Sequence, residues 1–120
     1  MTREKIHVLL NEKKKFFFDS CDDNYLTNII DQLGQNIYNI VLSAENSFID
    51  LSQKEINFIL GYRQCFNPNK VDLVPLHLYL LTIFNELENI ALNDGNDKLK
   101  AVWSKIGNLI IETSLNLIEH

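Results

Sequence analysis

The stretch that decides the fold is residues 72–95, DLVPLHLYLLTIFNELENIALNDG. Apolar residues recur in it at intervals of three and four, which predicts an α-helix with one face in a core. The predicted inner face is Leu73, Leu76, His77, Leu80, Phe84, Leu87 and Ala91, widened by Val74, Leu81, Ile83 and Ile90. Because these positions cover more than half of the circumference, the pattern predicts that this helix is central in a bundle.

Polar residues at both ends of this stretch predict where the helix begins and ends. Asp72 and Pro75 suit a first turn, and Gly95 can adopt the left-handed conformation that closes a helix. A further helix is predicted to begin directly afterwards, at Asn96 or Asp97. Its inner face is Leu99, Val102, Trp103, Ile106, Ile110, Thr113 and Leu117, and it is predicted to share the central position.

Two more helices are predicted in the first 45 residues. The first covers about residues 3–18, with an inner face of Ile6, Leu9, Leu10, Phe16 and Phe17. The second begins at Asp22 or Asp23, with an inner face of Leu26, Ile29, Ile30, Leu33, Ile37, Ile40, Val41 and Ala44. Gly34 costs this second helix about 1 kcal/mol relative to alanine, so its presence indicates a close contact with another helix.

A capping box predicts one more helix between these pairs. In the sequence SQKE at residues 52–55, Ser52 can cap the amide of Glu55 while the Glu55 side chain reaches back. Leu51 and Ile56 flank the box as a hydrophobic staple, and an NPN sequence ends the helix near residue 66. No stretch alternates as a strand would, and no linker divides the chain. Residues 1–120 are therefore predicted to form a single all-α domain, a compact bundle of four to five helices.

Composition and charge limit the classes of function. The chain has 120 residues, 46% of them apolar, and a net charge of −5, which disfavours general affinity for nucleic acid. No apolar run approaches the roughly 20 residues needed to span a bilayer, and the first residues lack a signal-peptide pattern. We therefore expect a cytoplasmic protein without membrane or nucleic-acid partners.

Sequence motifs for catalysis or metal binding are absent. Cys21 and Cys65 form no CxxC pair, and no HExxH, GxSxG or phosphate-binding glycine loop occurs. We therefore predict no catalytic, cofactor or metal site, and a protein that is not an enzyme. His77, on the inner face of its helix, is interpreted as a core histidine rather than a base or ligand.

Eight residues are candidates for contact with a partner. One acidic cluster lies between the first two helices. A pair of glutamates within residues 72–95 is expected to project near each other. On the last helix, after Trp103 in the sequence, a second stripe of apolar residues is predicted besides the inner face. The candidates are Asp19, Asp22, Asp23, Glu86, Glu88, Ile111, Leu115 and Ile118. We expect the first helix, through Phe16 and Phe17, to cover the stripe; a homodimer or a foreign partner are the alternatives. The basic-aromatic run Lys13–Phe18 is interpreted as a solvated lysine face with core phenylalanines behind it.

These features favour a protein-binding function. The sequence predicts a small acidic module that binds another protein, in particular an immunity protein or similar inhibitor neutralising a basic toxin. The alternatives are a small helical transcription regulator, which needs a basic recognition helix, and a helical small-molecule-binding protein that uses His77 in a core pocket.

Removing the capping serine tests the predicted start of the helix at residue 52. We expect Ser52→Ala to lower the free energy of unfolding by about 1 kcal/mol, because an amide of the first turn loses its side-chain acceptor. Denaturant unfolding followed by circular dichroism measures this change. An unaltered midpoint would mean that the helix begins elsewhere, for example at Asp50.

Overall fold

The structure is a computed structural model that describes residues 2–18, 23–45 and 73–119; the side chains at 23, 25, 45, 73 and 113–119 fall outside that description. Its helices are α1 (Arg3–Phe17), α2 (Asp23–Glu45), α3 (Leu73–Asn93) and α4 (Asp97–Glu119). Across these three ranges there is no strand, and the predicted all-α bundle is confirmed. The predicted helix 52–66 and its capping box lie outside the described residues.

The helices pack as a ring in which each one contacts two others. The most extensive contact is between α3 and α4, which run antiparallel on either side of a short turn. Helix α1 packs against both α2 and α3, and α2 also meets α4. The inner faces predicted from the sequence supply most of the core, and the largest fully buried side chains include Trp103, Tyr79 and Phe84. The Trp103 and Phe84 rings, 5.9 Å apart, join α4 to α3.

The turn between α3 and α4 uses one residue to end the first helix and the next to begin the second. Gly95 has a φ of 71°, so the predicted left-handed closure is confirmed. The Gly95 amide donates to the Leu92 carbonyl and the Asn96 amide donates to the Ala91 carbonyl, which together form a Schellman motif. The Asn96 side chain then accepts from the Leu99 amide at 3.1 Å, so Asn96, rather than Asp97, caps α4.

Helices α1 and α2 approach closely at Gly34, as the sequence predicted. A Cβ at this position would lie 3.3 Å from Nε2 of His7, which would force the ring to shift. His7 is therefore held between two helices rather than at an exposed chain end, and its Nδ1 lies 4.0 Å from an Asp31 carboxylate oxygen. The small residue lets the imidazole occupy the space that a side chain would otherwise fill.

Tyr79 fixes the end of α1 against α3. Its hydroxyl donates a 2.7 Å hydrogen bond to the buried Leu10 carbonyl, and the rings of Phe17 and Phe18 meet its ring edge-on. The prediction that Phe16 belongs to the inner face is wrong, since its side chain is 77% exposed. The helix ends at Phe17, and the change of backbone direction at Phe18 turns that ring into the core instead.

Helix α3 is less enclosed than its wide apolar arc predicted. Val74, which the sequence placed in this arc, is 64% exposed, whereas Ile83 is buried and Leu81 packs partly against the core. Leu78, which was not part of the predicted arc, is 51% exposed. Of the described helices, only α1 and α4 flank α3 through backbone contacts, and they leave its outer face open. The apolar arc of α3 therefore extends beyond the residues that are buried in the core.

Truncation of Trp103 tests the central position of the α3–α4 contact. We expect Trp103→Ala to destabilise the protein by about 3–5 kcal/mol, because a fully buried indole is replaced by a cavity beside Phe84. Chemical denaturation gives this free energy directly. A loss below about 1 kcal/mol would be incompatible with the burial of the indole.

Candidate functional site

A groove runs along the outer surface between α3 and α4. Its volume is about 150 Å³, and its lining includes the buried residues Phe84 and Trp103. We call it the α3–α4 groove, and its walls are formed by Leu81, Phe84, Asn85, Glu88, Trp103, Ser104, Gly107, Asn108 and Ile111. The lining therefore combines aromatic and aliphatic surface with a few amide, hydroxyl and carboxylate groups.

Gly107 provides the open space in this groove. A Cβ built at this glycine would meet no atom within 4 Å. The adjacent wall residue Ser104 is also small, so the two helices leave a gap where larger side chains would fill it. A cavity of about 150 Å³ can hold a group of the size of benzene, so the groove has room for one large apolar side chain.

Exposed apolar side chains extend the groove along α3. Exposed Val74 and Leu78 and half-buried Leu81, which also packs against the core, follow one another at intervals of four and three and therefore share a face of the helix. Because α3 and α4 are antiparallel, this end of α3 lies beside the carboxyl-terminal half of α4, where Ile111 is 44% exposed. We call this whole surface, formed by Val74, Leu78, Leu81, Ile111 and the groove, the hairpin face.

The predicted cover for the second stripe of α4 is not found at Ile111. In the part of the chain that the structure describes, α1 makes no close backbone contact with α4, and both Phe16 and Ile111 have exposed side chains. Ile111 instead forms one wall of the α3–α4 groove. The side chains of Leu115 and Ile118 lie outside the described residues.

The hairpin face lies in a segment with carboxylates and few cations. Residues 73–97 and 106–119 contain no lysine or arginine, and they carry Glu86, Glu88, Asp94, Asp97, Glu112 and Glu119. The three lysines of α4 lie at positions 98–105, and Lys98 donates to the Ala44 carbonyl at the end of α2. The pair of helices that carries the hairpin face is therefore acidic overall, with six carboxylates against three lysines, and Glu88 is the charged residue in the groove wall.

The two glutamates expected to act together are placed differently. Glu88 lines the α3–α4 groove, whereas Glu86 does not. Residues two apart on a helix point to different sides, so the expectation that they project near each other conflicts with helical geometry. Asp19 and Asp22, and the side chain of Asp23, lie outside the described residues.

His77 is buried in the core, as the sequence predicted. It is 6% exposed, and burial lowers the pKa of its imidazole below the usual value of 6.5. No group of three or more histidine, cysteine or acidic side chains in the described ranges could hold a metal ion. None of the helices, over those same ranges, is long and apolar enough to cross a membrane.

The hairpin face was only partly visible in the sequence. Ile111 and Glu88 were predicted to contact a partner, whereas Val74 and Leu81 were assigned to the core-facing arc, and Gly107 and Leu78 were not singled out. The 74–78–81 spacing was a usable signal, because it marks a line of apolar residues on the far side of α3 from buried Leu80 and Ile83.

No protein-family model, curated protein or solved structure matches the chain.

Acidification tests the burial of His77. In the unfolded chain His77 takes up a proton near pH 6.5, whereas in the folded protein burial shifts this protonation to lower pH. The unfolded state therefore binds more protons below about pH 6.5, and we expect the free energy of unfolding to fall as the pH decreases through this range. Denaturant unfolding at a series of pH values measures the slope.

Two substitutions separate His77 from the other histidines. His77→Gln should reduce the slope of stability against pH, and His7→Gln should leave the His77 contribution in place. If wild type and His77→Gln lose stability with the same slope, the lowered pKa of His77 is not the cause.

Proposed function

We propose that this chain is a small acidic protein-binding module that neutralises a basic protein, in particular a toxin, by stoichiometric binding through the hairpin face. The observation that carries the proposal is the exposed apolar surface of Val74, Leu78 and Ile111, which adjoins the α3–α4 groove. Exposed apolar patches bordered by polar residues are typical of sites where another protein binds. The core of the bundle does not need these side chains.

The charge around the hairpin face supports a basic partner. The chain has a net charge of −5, and residues 73–119, which carry the hairpin face, hold six carboxylates against three lysines. Opposite charges at the edge of an interface steer the partner and raise the association rate, while apolar contacts at its centre supply affinity. A nucleic-acid-cleaving toxin is a basic protein of this kind, since it must bind phosphates.

The same charges disfavour a second copy as the occupant. Two hairpin faces brought together would place carboxylates of one copy near those of the other, including the exposed Glu112. Like charges at an interface cost free energy unless cations intervene. A foreign basic partner therefore fits this surface better than a homodimer does.

Co-expression with the product of a neighbouring gene tests the proposal. If that product is a basic toxin, it arrests growth when expressed alone, and this chain restores growth by forming a one-to-one complex. We expect Leu78→Lys to abolish protection, because it removes exposed apolar surface and adds a repelling charge. Growth curves and the mass of the purified complex are the measurements.

The matched control is Val8→Lys on α1. Val8 is 55% exposed, close to the value for Leu78, but it lies on a different helix. This variant should protect as wild type does, and both variants should keep the wild-type helical content. Equal protection by the two variants would contradict the hairpin face as the binding surface, and a harmless neighbour would contradict the toxin proposal.

A further inference from the structure

The open space over Gly107 fits one large side chain from a partner. The groove has a volume of about 150 Å³, and the buried residues Phe84 and Trp103 are part of its lining. A leucine or phenylalanine inserted here would contact the apolar part of the lining, and side chains that fill pockets in an interface dominate its affinity. That apolar part is Leu81, Phe84, Trp103 and Ile111. To place a side chain between the two helices, the partner must approach with a narrow, convex segment of its backbone.

The backbone of the hairpin face decides what kind of element this is. Within α3 and α4 the main-chain amides and carbonyls of the helix interiors are already paired, so they offer nothing to an added extended strand. An extended segment lying in the groove would bury unpaired amides and carbonyls at a cost. A helix satisfies its own backbone and presents only side chains, as in helix-in-groove recognition.

The length of the surface sets the length of that helix. The distance along α3 from Val74 to Glu88 is about 21 Å at 1.5 Å per residue, which matches a helix of about 14 residues. Apolar residues at intervals of three and four on such a helix would meet Leu78, Leu81 and Ile111, with one of them over Gly107. A basic residue one or two turns from this anchor would meet Glu88 at the groove wall.

We infer that the hairpin face binds a basic amphipathic helix of the partner, about four turns long, with one large apolar side chain inserted over Gly107. The inference rests on the proposed function and specifies the partner's recognised segment. The occupant is a foreign helix rather than a second copy, because each chain has a net charge of −5 and residues 73–119 hold six carboxylates against three lysines, so two copies repel each other.

Synthetic helices provide the probe. The first is a 14-residue peptide with leucines at helical spacing on one face and lysines elsewhere. The second has glutamate in place of every lysine, and the third keeps the lysines but contains two central prolines that prevent a helix. Binding is measured by isothermal titration calorimetry and by the fluorescence of Trp103, the only tryptophan, which lies in the groove wall.

Filling the groove is the decisive substitution. Gly107→Leu places a side chain where the partner's anchor would insert, and the helix tolerates it because leucine is a better helix former than glycine. The matched control is Ala101→Leu, at an exposed position of α4 outside the groove. Thermal unfolding of both variants establishes that each is folded.

We expect the leucine–lysine helix to bind wild type and Ala101→Leu alike, and Gly107→Leu at least about tenfold more weakly. Glu88→Gln should weaken binding and reduce its salt dependence, and the acidic and proline-containing peptides should not bind. Equal binding by the Gly107→Leu and Ala101→Leu variants, or binding by the proline-containing peptide, would overturn the inference. So would no binding to wild type. None of these peptide results would affect the growth assay, which tests the proposed toxin neutralisation independently of the helical segment inferred here.

Discussion

The antiparallel contact between α3 and α4 is the interaction on which the rest of the bundle depends. It places Trp103 against Phe84 and makes the largest interface among the described helices. Helix α1 is attached to it through Tyr79, whose hydroxyl is bonded to the Leu10 carbonyl. Helix α2 has no basic residue in its last turn, and Lys98 of α4 supplies a cation at its carboxyl end.

The same contact generates the candidate site. Helices pair most closely where their side chains interdigitate, and around Gly107 there is too little side chain to fill the space between α3 and α4. The gap faces outward, so it is a groove and not an internal cavity. Beside it, the outer apolar arc of α3 stays exposed because the described neighbours cover only the opposite face. The hairpin face thus consists of the unfilled space over Gly107 and the exposed apolar residues of α3 beside it.

The helices were predictable from the sequence because their signals are local. Spacing at three and four residues placed all four described helices, and Gly95 and Asn96 marked the turn between two of them. The covering of each apolar residue was not predictable in the same way. Phe16 and Leu78 both fit a helical pattern of apolar residues, yet both are exposed, because their burial depends on where other helices lie. The sequence of a helix records that a residue is apolar, and only the assembled bundle determines what covers it.

The turn at residues 94–96 also has a consequence for the order in which the chain folds. It joins α3 and α4 through three residues, so little chain entropy is lost when the two helices meet, and their contacts are local in sequence. Contacts of α1 with α3 must instead close a loop of more than fifty residues, as the 69-residue separation of Leu10 and Tyr79 illustrates. By the same reasoning the contacts between α1 and α2, which are separated by five residues, are also local, so docking of the two pairs is the step that closes the long loop. A surface carried by the α3–α4 pair alone therefore does not depend on closing that loop.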